Sequence, residues 1–271
     1  MKIATHITFF YDKTRIQYLE KVVNNLLDIN SKDKNIHIHI YTNHFFYVFN
    51  KRNKNIIYHR FGYKKNWRWQ FPFDHIINKI GLKCFVHPFY LSWENRKYVE
   101  KYIEKYDVQM YIEDDILFTK DTFLYWLENY KNVNKNGYNL GFLRIEYDKN
   151  GVSYFSDLWE KPNNIIEIDS KKYIENAVNP YCAFWIYEKD ELKEFIKSQE
   201  WKFNFVRYNI REKSAIGWHG KDMTRYKGTI IPLILNEKNK LQIDTRCTVH
   251  HLPNNYIGHN AFCTIKFPLE Y

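Results

Sequence analysis

The sequence predicts an α/β protein built on a mixed, mostly parallel sheet that is flanked by helices. Three observations lead to this prediction. Strand-like and helix-like segments alternate through the first half of the chain, apolar residues make up 45% of it, and no internal repeat is visible. No stretch rich in proline, glycine or serine divides the 271 residues, so we expect one domain that spans residues 1–271.

The first half supplies the alternation of strands and helices. Residues 2–10 are an apolar run typical of a buried strand, and residues 36–41 alternate apolar side chains with histidines as a half-buried strand does. Between them, residues 14–29 repeat apolar side chains at helical spacing, and residues 55–60 form a weaker strand. The order strand, helix, strand is typical of parallel strands joined by a covering helix.

The same order continues into the middle of the chain. Residues 92–106 are predicted as a helix, residues 108–112 as a short apolar strand and residues 122–130 as a further helix. The second half is less regular. Its predicted elements are strands at residues 140–147, 153–155 and 180–187 and a helix at residues 189–198.

Charge narrows the range of possible partners. The formal net charge is +10, and a basic surface attracts anions such as nucleotide diphosphates, nucleic acid or acidic lipid headgroups. The basic residues are spread along the chain, with one denser cluster in which Lys64, Lys65 and Arg68 surround Trp67 and Trp69. That cluster fits a membrane surface, a bound phosphate or a solvated loop.

The four cysteines and the hydropathy favour a reducing compartment. No two cysteines form a C-x-x-C pair, which argues against a zinc ribbon, and their number does not suggest a disulfide scaffold. No apolar run reaches the roughly 18 residues of a membrane span, and a strand begins at once at the N-terminus without a signal-peptide pattern. We expect a cytoplasmic protein, with peripheral association with a membrane left open.

Three adjacent acids, Glu113, Asp114 and Asp115, directly follow the strand predicted at residues 108–112. Ligands of open α/β sheets bind beyond the carboxyl ends of the strands, which is where these side chains would lie. Adjacent carboxylates repel one another unless a cation balances them, and Mg²⁺ and Mn²⁺ prefer carboxylate oxygens and bridge readily to diphosphate. The triplet therefore predicts a divalent-cation site; the alternative is an acidic turn that caps the next element.

At this triplet the chain resembles the GT-A glycosyltransferases, whose metal-binding D-x-D motif ends a central strand. Glu113-Asp114-Asp115 is similar to that motif, with Glu113 in place of the usual first Asp. The resemblance implies a single-domain, Rossmann-like GT-A fold in which Asp115 contacts Mn²⁺ or Mg²⁺ and Glu113 or Asp114 faces the ribose or the metal. It also implies a nucleotide-binding half over about residues 1–130 and an acceptor-binding half over about residues 131–271.

The resemblance further implies that strand edges of the first half hold the base and ribose of the donor. The residues at those edges are Thr5 and His6 on the first strand, and Thr42 and Asn43 at the end of the second. Arg96 lies on the helix before the triplet. It either meets a phosphate of the donor or pairs with Glu100 one helical turn further on.

Residues 216–223, Ile-Gly-Trp-His-Gly-Lys-Asp-Met, combine two glycines with an aromatic residue, a histidine and an acid. Glycines let the backbone approach a ligand closely, Trp218 with His219 beside it offers a wall for a sugar ring, and Asp222 can act as general base for an acceptor hydroxyl. The stretch is similar to the W-G-x-E-D element of some inverting GT-A enzymes, with Lys221 in place of the usual Glu. The alternative is that Asp222 caps a helix after a glycine turn.

Two adjacent histidines, His250 and His251, end a short strand-like run late in the chain. Neighbouring strand residues point to opposite faces, so one histidine can face a site while the other packs or meets solvent. Many GT-A enzymes carry a late histidine as an additional metal ligand, and the resemblance implies this role for His251, with His250 as the alternative. His259 is a weaker candidate, and Arg246 is suited to holding a phosphate.

Together these patterns predict an enzyme, a metal-dependent glycosyltransferase that uses a nucleotide-sugar donor, with a uridine diphosphate (UDP) sugar favoured. The acceptor would be a glycan or glycolipid, and Asp222 as base would make the reaction inverting. One alternative is a nucleotidyltransferase acting on sugar phosphates, although residues 5–15 contain no glycine for a phosphate-binding loop. Another is a basic nucleic-acid-binding protein, but no basic stripe or known module is visible, so we expect no nucleic-acid partner.

Overall fold

A computed structural model describes residues 1–48, 53–63, 87–202 and 210–271. The basic and aromatic cluster at residues 64–69 and the first cysteine, Cys84, lie outside the described residues. The other three cysteines, Cys182, Cys247 and Cys263, are buried and are not joined in disulfides.

Two compact units make up the described chain. Unit 1 consists of Met1–Asp114 and Phe184–Gly217, and unit 2 consists of Asp115–Ala183 and Trp218–Tyr271. The chain therefore passes from one unit to the other three times, whereas the sequence suggests one passage near residue 130. The first of the three passages falls inside the acidic triplet, between Asp114 and Asp115.

The strands are numbered along the chain. They are β1 Lys2–Phe9, β2 Asn35–Thr42, β3 Ile56–Arg60, β4 Val108–Glu113, β5 Ile116–Leu117, β6 Asn139–Leu140, β7 Leu143–Tyr147, β8 Ser153–Phe155, β9 Ile165–Ile168, β10 Lys171–Glu175, β11 Phe184–Glu188, β12 Thr229–Leu235, β13 Leu241–Ile243, β14 Thr248–His251 and β15 Ile265–Lys266. The α-helices are α1 Ile16–Leu27, α2 Arg96–Lys101, α3 Lys120–Lys135, α4 Lys189–Lys197 and α5 Ile210–Ala215, and Pro88–Trp93 and Thr245–Cys247 are 3-10 helices.

Unit 1 is built on a sheet in the order β11-β4-β1-β2-β3. Strands β1 to β4 are parallel to their neighbours, and β11 pairs with β4 in the antiparallel direction at the edge. The predicted mixed, mostly parallel sheet is thus confirmed. Its central strands are buried because apolar side chains dominate both faces of β1, β2 and β4.

Helix α1 confirms the helical spacing of residues 14–29, because Leu19, Val22, Val23 and Leu26 are its buried side chains. The single helix predicted at residues 92–106 is wrong. The structure has a 3-10 helix up to Trp93, then the six residues of α2, and turns follow Lys101. The side chain of Asn95 explains the interruption: it is buried and donates to the carbonyl of Ser92 instead of pointing to solvent.

Unit 2 contains one long helix and two small sheets. Helix α3 is capped by Thr119, whose hydroxyl accepts a hydrogen bond from the backbone of Thr122 at 3.2 Å. One sheet has the order β13-β12-β10-β9, with β6 also paired to β12, and the other has the order β15-β8-β7-β14-β5. Strands β9 and β10 are missing from the prediction because they are short and carry charged residues, and β13 because it has only three residues. Strand β12 is an apolar run of seven residues that is also missing from the prediction; it contains Pro232, a residue that argues against a strand.

One pairing in the second sheet positions the site described below. Strand β14 lies antiparallel to β5, with His251 opposite Ile116 and therefore next to Asp115. Within the described residues, no helix is both long enough and apolar enough to cross a membrane.

Candidate functional site

A cavity of about 290 Å³ lies at the carboxyl ends of β1 and β4 in unit 1. This is the edge of a parallel sheet at which ligands of α/β proteins bind. Its lining combines aromatic rings with two acids and two arginines. The lining residues are Thr8, Phe10, Tyr11, Asp12, Arg15, Pro88, Phe89, Ser92, Asp114 and Arg211.

Asp114 is fixed in this cavity by Arg15. The guanidinium donates from Nε to Oδ2 at 3.1 Å and from Nη2 to Oδ1 at 3.0 Å and Oδ2 at 2.9 Å. The two side chains are 34% and 14% exposed, so the pair is reached by water on the arginine side. Because a planar guanidinium and a carboxylate match in geometry, the pair holds the end of β4 against the loop that follows β1.

Aromatic side chains supply the apolar part of the lining of this cavity, in contrast to the Arg15–Asp114 ion pair. The ring of Tyr11 stacks on that of His44 with centroids 4.3 Å apart, and Phe89 is 42% exposed. The Arg211 guanidinium lies 5.2 Å from the centre of the Phe89 ring. The backbone amide of Tyr11 donates to Oδ1 of Asn43 at 2.8 Å, so Asn43 orders the loop that presents Tyr11.

Thr5 and His6 are placed differently from the prediction. Both lie in the middle of β1 and have no exposed surface, so they cannot contact a ligand at the strand end. Nε2 of His6 lies 2.9 Å from Oε1 of Gln109 and Nδ1 lies 2.8 Å from the hydroxyl of Tyr41, and burial lowers the pKa of His6 to about 4. Strand β1 ends at Phe9, one residue before the predicted end, and Thr8 and the residues that follow the strand line the cavity instead.

Thr42 and Asn43 do end β2, as predicted, but neither lines the cavity. Thr42 is buried and its hydroxyl accepts from the amide of His44. Asn43 donates to the carbonyl of Tyr63 and accepts from Tyr11, so its role in the structure is to tie two loops together.

Arg96 is also placed differently from the prediction. Its guanidinium is buried in a cage of aromatic rings, 3.8 Å from the ring centre of Trp201 and 4.8 Å from that of Trp93. Nη2 donates to the carbonyl of Ser214 at 3.3 Å, and burial lowers the pKa of Arg96 to about 9. Glu100 accepts instead from the indole of Trp201 at 2.7 Å, so the surface pair of the alternative interpretation is replaced by cation–π packing.

In unit 2 the structure brings Asp115 next to His251, 136 positions later in the chain. Nε2 of His251 lies 3.5 Å from Oδ2 of Asp115, and both side chains are 8% exposed. The ring's other nitrogen, Nδ1, lies 2.5 Å from Oε1 of Glu146. A histidine held at Nδ1 by a carboxylate presents Nε2 in a fixed direction, which is how metal-binding histidines are oriented.

Glu146 is itself firmly held. It lies on β7 with no exposed surface, and its Oε2 accepts from the backbone amides of Tyr256 at 2.8 Å and Ile257 at 3.1 Å. The ring of Tyr256 stacks on that of His251 with centroids 5.2 Å apart. Glu146 therefore fixes both the histidine and the loop beyond it.

The electrostatics of His251 follow from these carboxylates. Burial alone lowers a histidine pKa, but the hydrogen bonds with Asp115 and Glu146 outweigh it and raise the pKa of His251 above its ordinary value. A carboxylate and an imidazole side by side also fit a divalent cation. No group of three or more His, Cys, Asp or Glu is arranged to hold a metal among the described residues. A pair of this kind would leave the remaining ligand positions of Mg²⁺ or Mn²⁺ to phosphate and water.

His250 faces the other side of β14, as the alternation of the strand predicts. Its Nε2 lies 2.8 Å from Oδ1 of Asn254, and its ring meets that of Tyr147 edge-on. The burial pattern of β14 alternates along the strand, with His251 buried and His250 partly exposed. Of the two histidines, His251 is therefore the one that lies beside the predicted ligand Asp115.

A second cavity, of about 320 Å³, lies in unit 2 and includes Trp218 in its lining. His219 is placed differently from the prediction: it is buried, Nδ1 lies 3.0 Å from Nδ2 of Asn139, and burial lowers its pKa to about 3. Asp222 is exposed, and its neighbours in the chain Gly220, Lys221 and Met223 line the cavity.

Sequence reasoning misses Tyr11, Arg15, Phe89 and Arg211 in unit 1 and Glu146 in unit 2. The first two could be found from the sequence, because they directly follow β1, where parallel sheets bind ligands. The others have no local signal. Arg211 lies on the short helix α5, far along the chain from β1, and Glu146 is an acid within β7 whose hydrogen-bond partner, His251, lies 105 residues away.

The sequence matches no family model and no curated protein. Solved structures to which the chain is similar are glycosyltransferases. The bifunctional enzyme WbbM, without ligands, is 12% identical with a TM-score of 0.42 over 84% of this chain and 38% of that one. An active-site mutant of LgtC is 15% identical with a TM-score of 0.39 over 84% and 71%.

A glycosyltransferase involved in glycosylation of the major capsid of PBCV-1 is 11% identical with a TM-score of 0.32 over 80% of this chain and 74% of that one. The galactosyltransferase LgtC is also known in complex with donor and acceptor sugar analogs, at 12% identity and a TM-score of 0.35. The similarity to these glycosyltransferases extends over 80% or more of this chain.

Proposed function

We propose that this protein is a metal-dependent glycosyltransferase that uses a nucleotide-sugar donor. One observation carries the proposal: the acidic triplet ends the central strand β4, with Asp114 in the cavity at the strand end and Asp115 against His251. Such an arrangement suits an enzyme that binds a nucleotide diphosphate at the end of the strand, near Asp114, and uses a metal held by Asp115 to stabilise the diphosphate as it leaves the sugar.

The unit 1 cavity supports the donor half of the proposal. Tyr11 and Phe89 offer flat apolar faces to a base. Arg211 places a guanidinium group in the same cavity, and Arg15 places a second one there that is paired with Asp114. A nucleoside diphosphate is a ligand class that combines a flat base with strong negative charge, and a UDP sugar is the favoured member. The cavity of about 290 Å³ is at the lower end of the roughly 300–1,000 Å³ of ligand pockets.

Asp115 and His251 are the residues that would hold the metal, with Glu146 orienting His251. A bound Mn²⁺ or Mg²⁺ supplies positive charge that stabilises the leaving diphosphate. Asp115 directly precedes β5 and His251 ends β14, and these two strands are hydrogen-bonded neighbours, so the sheet fixes the separation of the two side chains before any ligand arrives. Such preorganisation lowers the cost of assembling the site during the reaction.

Asp222 is our candidate for the general base. It is exposed in a turn whose neighbouring residues line the unit 2 cavity, which we assign to the acceptor. A carboxylate that takes the proton from an acceptor hydroxyl allows direct attack on the anomeric carbon, so a single displacement inverts its configuration. The acceptor would be a glycan or glycolipid.

A panel of nucleotide sugars, tested with and without Mn²⁺, examines this proposal directly. A ligand that binds only the native state raises the melting temperature, so a UDP sugar with Mn²⁺ should stabilise the protein more than the sum of its separate effects. Release of UDP from the same donors would then report transfer or slow hydrolysis. The proposal fails if no nucleotide sugar shifts the melting temperature or releases its nucleotide in the presence of Mn²⁺.

A further inference from the structure

The unit 2 cavity differs in charge from an ordinary sugar site. Of the residues that line it, Lys221 and Lys227 are cationic and Glu175 is the acid. The remainder are an aromatic pair, small residues and polar groups. The other lining residues are Asn176, Ala177, Pro180, Trp218, Gly220, Met223, Tyr226, Gly228 and Thr229.

The other two charged residues of the lining, Lys227 and Glu175, already have contacts within the protein. Lys227 donates to the carbonyl of Asn136 at 3.3 Å and lies 5.4 Å from the ring centre of Tyr138. Glu175 accepts from Nδ2 of Asn164 at 2.6 Å. Both side chains therefore already use part of their hydrogen-bonding capacity within the protein.

Lys221 is exposed and its ammonium lies over an aromatic face. Its Nζ is 5.0 Å from the ring centre of Trp159, and Trp159 is 55% exposed, so part of the indole is open to solvent. Trp159 is linked to the cavity through Lys221, which lines it, and an exposed indole offers a sugar ring a stacking face. The ammonium at the edge of that face suits a negative substituent on the same ring.

We infer that this cavity binds a saccharide that carries a negative charge, as a carboxylate or a phosphate, and that Lys221 recognises the charge while Trp159 stacks on the ring. Naming this saccharide the acceptor rests on the function proposed above. The binding itself does not, because it needs neither a nucleotide nor a metal. The basic character of the chain, with a formal net charge of +10, favours such a ligand over a neutral one.

The test compares three monosaccharides that differ in charge: glucose, glucuronate and glucose 6-phosphate. Their affinities are measured by saturation-transfer NMR without nucleotide or metal. The charged sugars should bind roughly fivefold more tightly than glucose, which is the effect of one partly exposed ion pair, and added salt should reduce the difference. The two charged sugars distinguish a carboxylate preference from a phosphate preference.

Three variants separate the roles of the residues. Lys221→Gln should bring the affinity for charged sugars down to that for glucose, and Lys238→Gln, an exposed lysine elsewhere in unit 2, should leave the preference intact. Trp159→Ala should weaken the binding of all three sugars by the same factor, so that the preference for charged sugars over glucose is kept. Thermal unfolding of each variant checks that it is folded.

Two results would overturn the inference. One is equal affinity for glucose and the charged sugars in the parent protein, and the other is an unchanged preference in Lys221→Gln. Displacement of the charged sugars by inorganic phosphate alone at similar concentration would also overturn it, because the site would then recognise an anion and not a saccharide. None of these results bears on Mn²⁺-dependent nucleotide binding, which is measured separately and tests the proposed function.

Discussion

Asp114 and Asp115 are neighbours in the chain and identical in chemistry, yet they belong to different compact units. Asp114 is paired with Arg15, a group that keeps its charge at any pH the protein meets. Asp115 lies against His251, a group that can exchange its proton for a metal ion. Two identical side chains therefore have different partners: Asp114 is held in a permanent ion pair in unit 1, and Asp115 lies beside a potential metal ligand in unit 2.

Under the function proposed above, the two units would have different roles. Unit 1 holds its acid in a fixed, charge-neutral pair inside a cavity with aromatic walls, which suits binding. Unit 2 holds its acid beside an oriented histidine and carries the exposed Asp222, which suits metal chemistry and proton transfer. Substitutions in unit 2 should therefore lower turnover, and substitutions in unit 1 should weaken donor binding.

The largest expected effect is that of Asp222→Asn. Loss of a general base reduces turnover by about 10²–10⁴-fold, and donor affinity should stay the same because the base contacts only the acceptor. Turnover and donor affinity are measured separately, with Asp121→Asn on the surface of unit 2 as the control. A folded Asp222→Asn protein with parental turnover would remove this residue from the reaction. A product with the donor's own anomeric configuration, seen by proton NMR, would do the same.

The neighbouring acids give the next comparison. Asp115→Asn should abolish the Mn²⁺ dependence of nucleotide binding, with a loss of turnover of at least about 100-fold, since it removes a proposed ligand outright. Asp114→Asn should keep the Mn²⁺ dependence and weaken donor binding, because Arg15 loses its partner in the cavity. Titration of nucleotide at several Mn²⁺ concentrations separates the two. An Asp114→Asn variant that alone loses the metal dependence would reverse the assignment of the two acids.

Glu146→Gln tests whether the orientation of His251 matters. The glutamine fills the same space but cannot balance a charge on the imidazole, so Mn²⁺ affinity should fall by about 10–100-fold. Electron paramagnetic resonance of Mn²⁺ measures that affinity without any turnover. His250→Ala is the matched control, since that histidine faces Asn254 on the other side of β14. Equal losses in both variants would point to general damage to the strand.

The smallest expected effect concerns the stability of unit 1 in acid. His6, His39 and His59 form a stack in which ring centroids are 5.2 and 5.3 Å apart. Burial is the main cause that lowers their pKa values, to about 4 for His6 and His59 and about 2 for His39. Well above pH 6.5, the ordinary histidine pKa, these histidines are neutral in both the folded and the unfolded chain, so they contribute no pH dependence there.

Below that pH the unfolded chain takes up protons first, and the free energy of unfolding falls as the pH drops towards 4. Each histidine contributes a slope of up to about 1.4 kcal/mol per pH unit. Urea unfolding from neutral to mildly acidic pH measures the slope. His6→Gln, whose amide keeps hydrogen-bonding groups near Tyr41 and Gln109, should reduce it. A parental slope in His6→Gln would show that other groups cause the acid sensitivity.

The sequence predicts the strands of unit 1 well because their signal is local. The apolar runs of β1, β2 and β4 are visible over six to eight consecutive residues, and each strand is found within one residue of the prediction at either end. What the local pattern does not give is the position of the site, which lies at the end of β1 and not at Thr5 and His6 in its middle. The interior of unit 2 is harder to predict, since strands such as β13 and β14 are only three and four residues long.

By itself, the sequence determines the α/β class, the place of the acidic triplet at the end of β4 and the opposite directions of His250 and His251, because periodicity and strand alternation are properties of neighbouring residues. Only the tertiary structure decides which partner each side chain meets. Arg15 finds Asp114 across 99 residues and His251 finds Glu146 across 105, while Arg96 is drawn into an aromatic cage away from the cavity. Strand pairing and core packing make these choices, and they depend on residues far apart in the chain that no local pattern links.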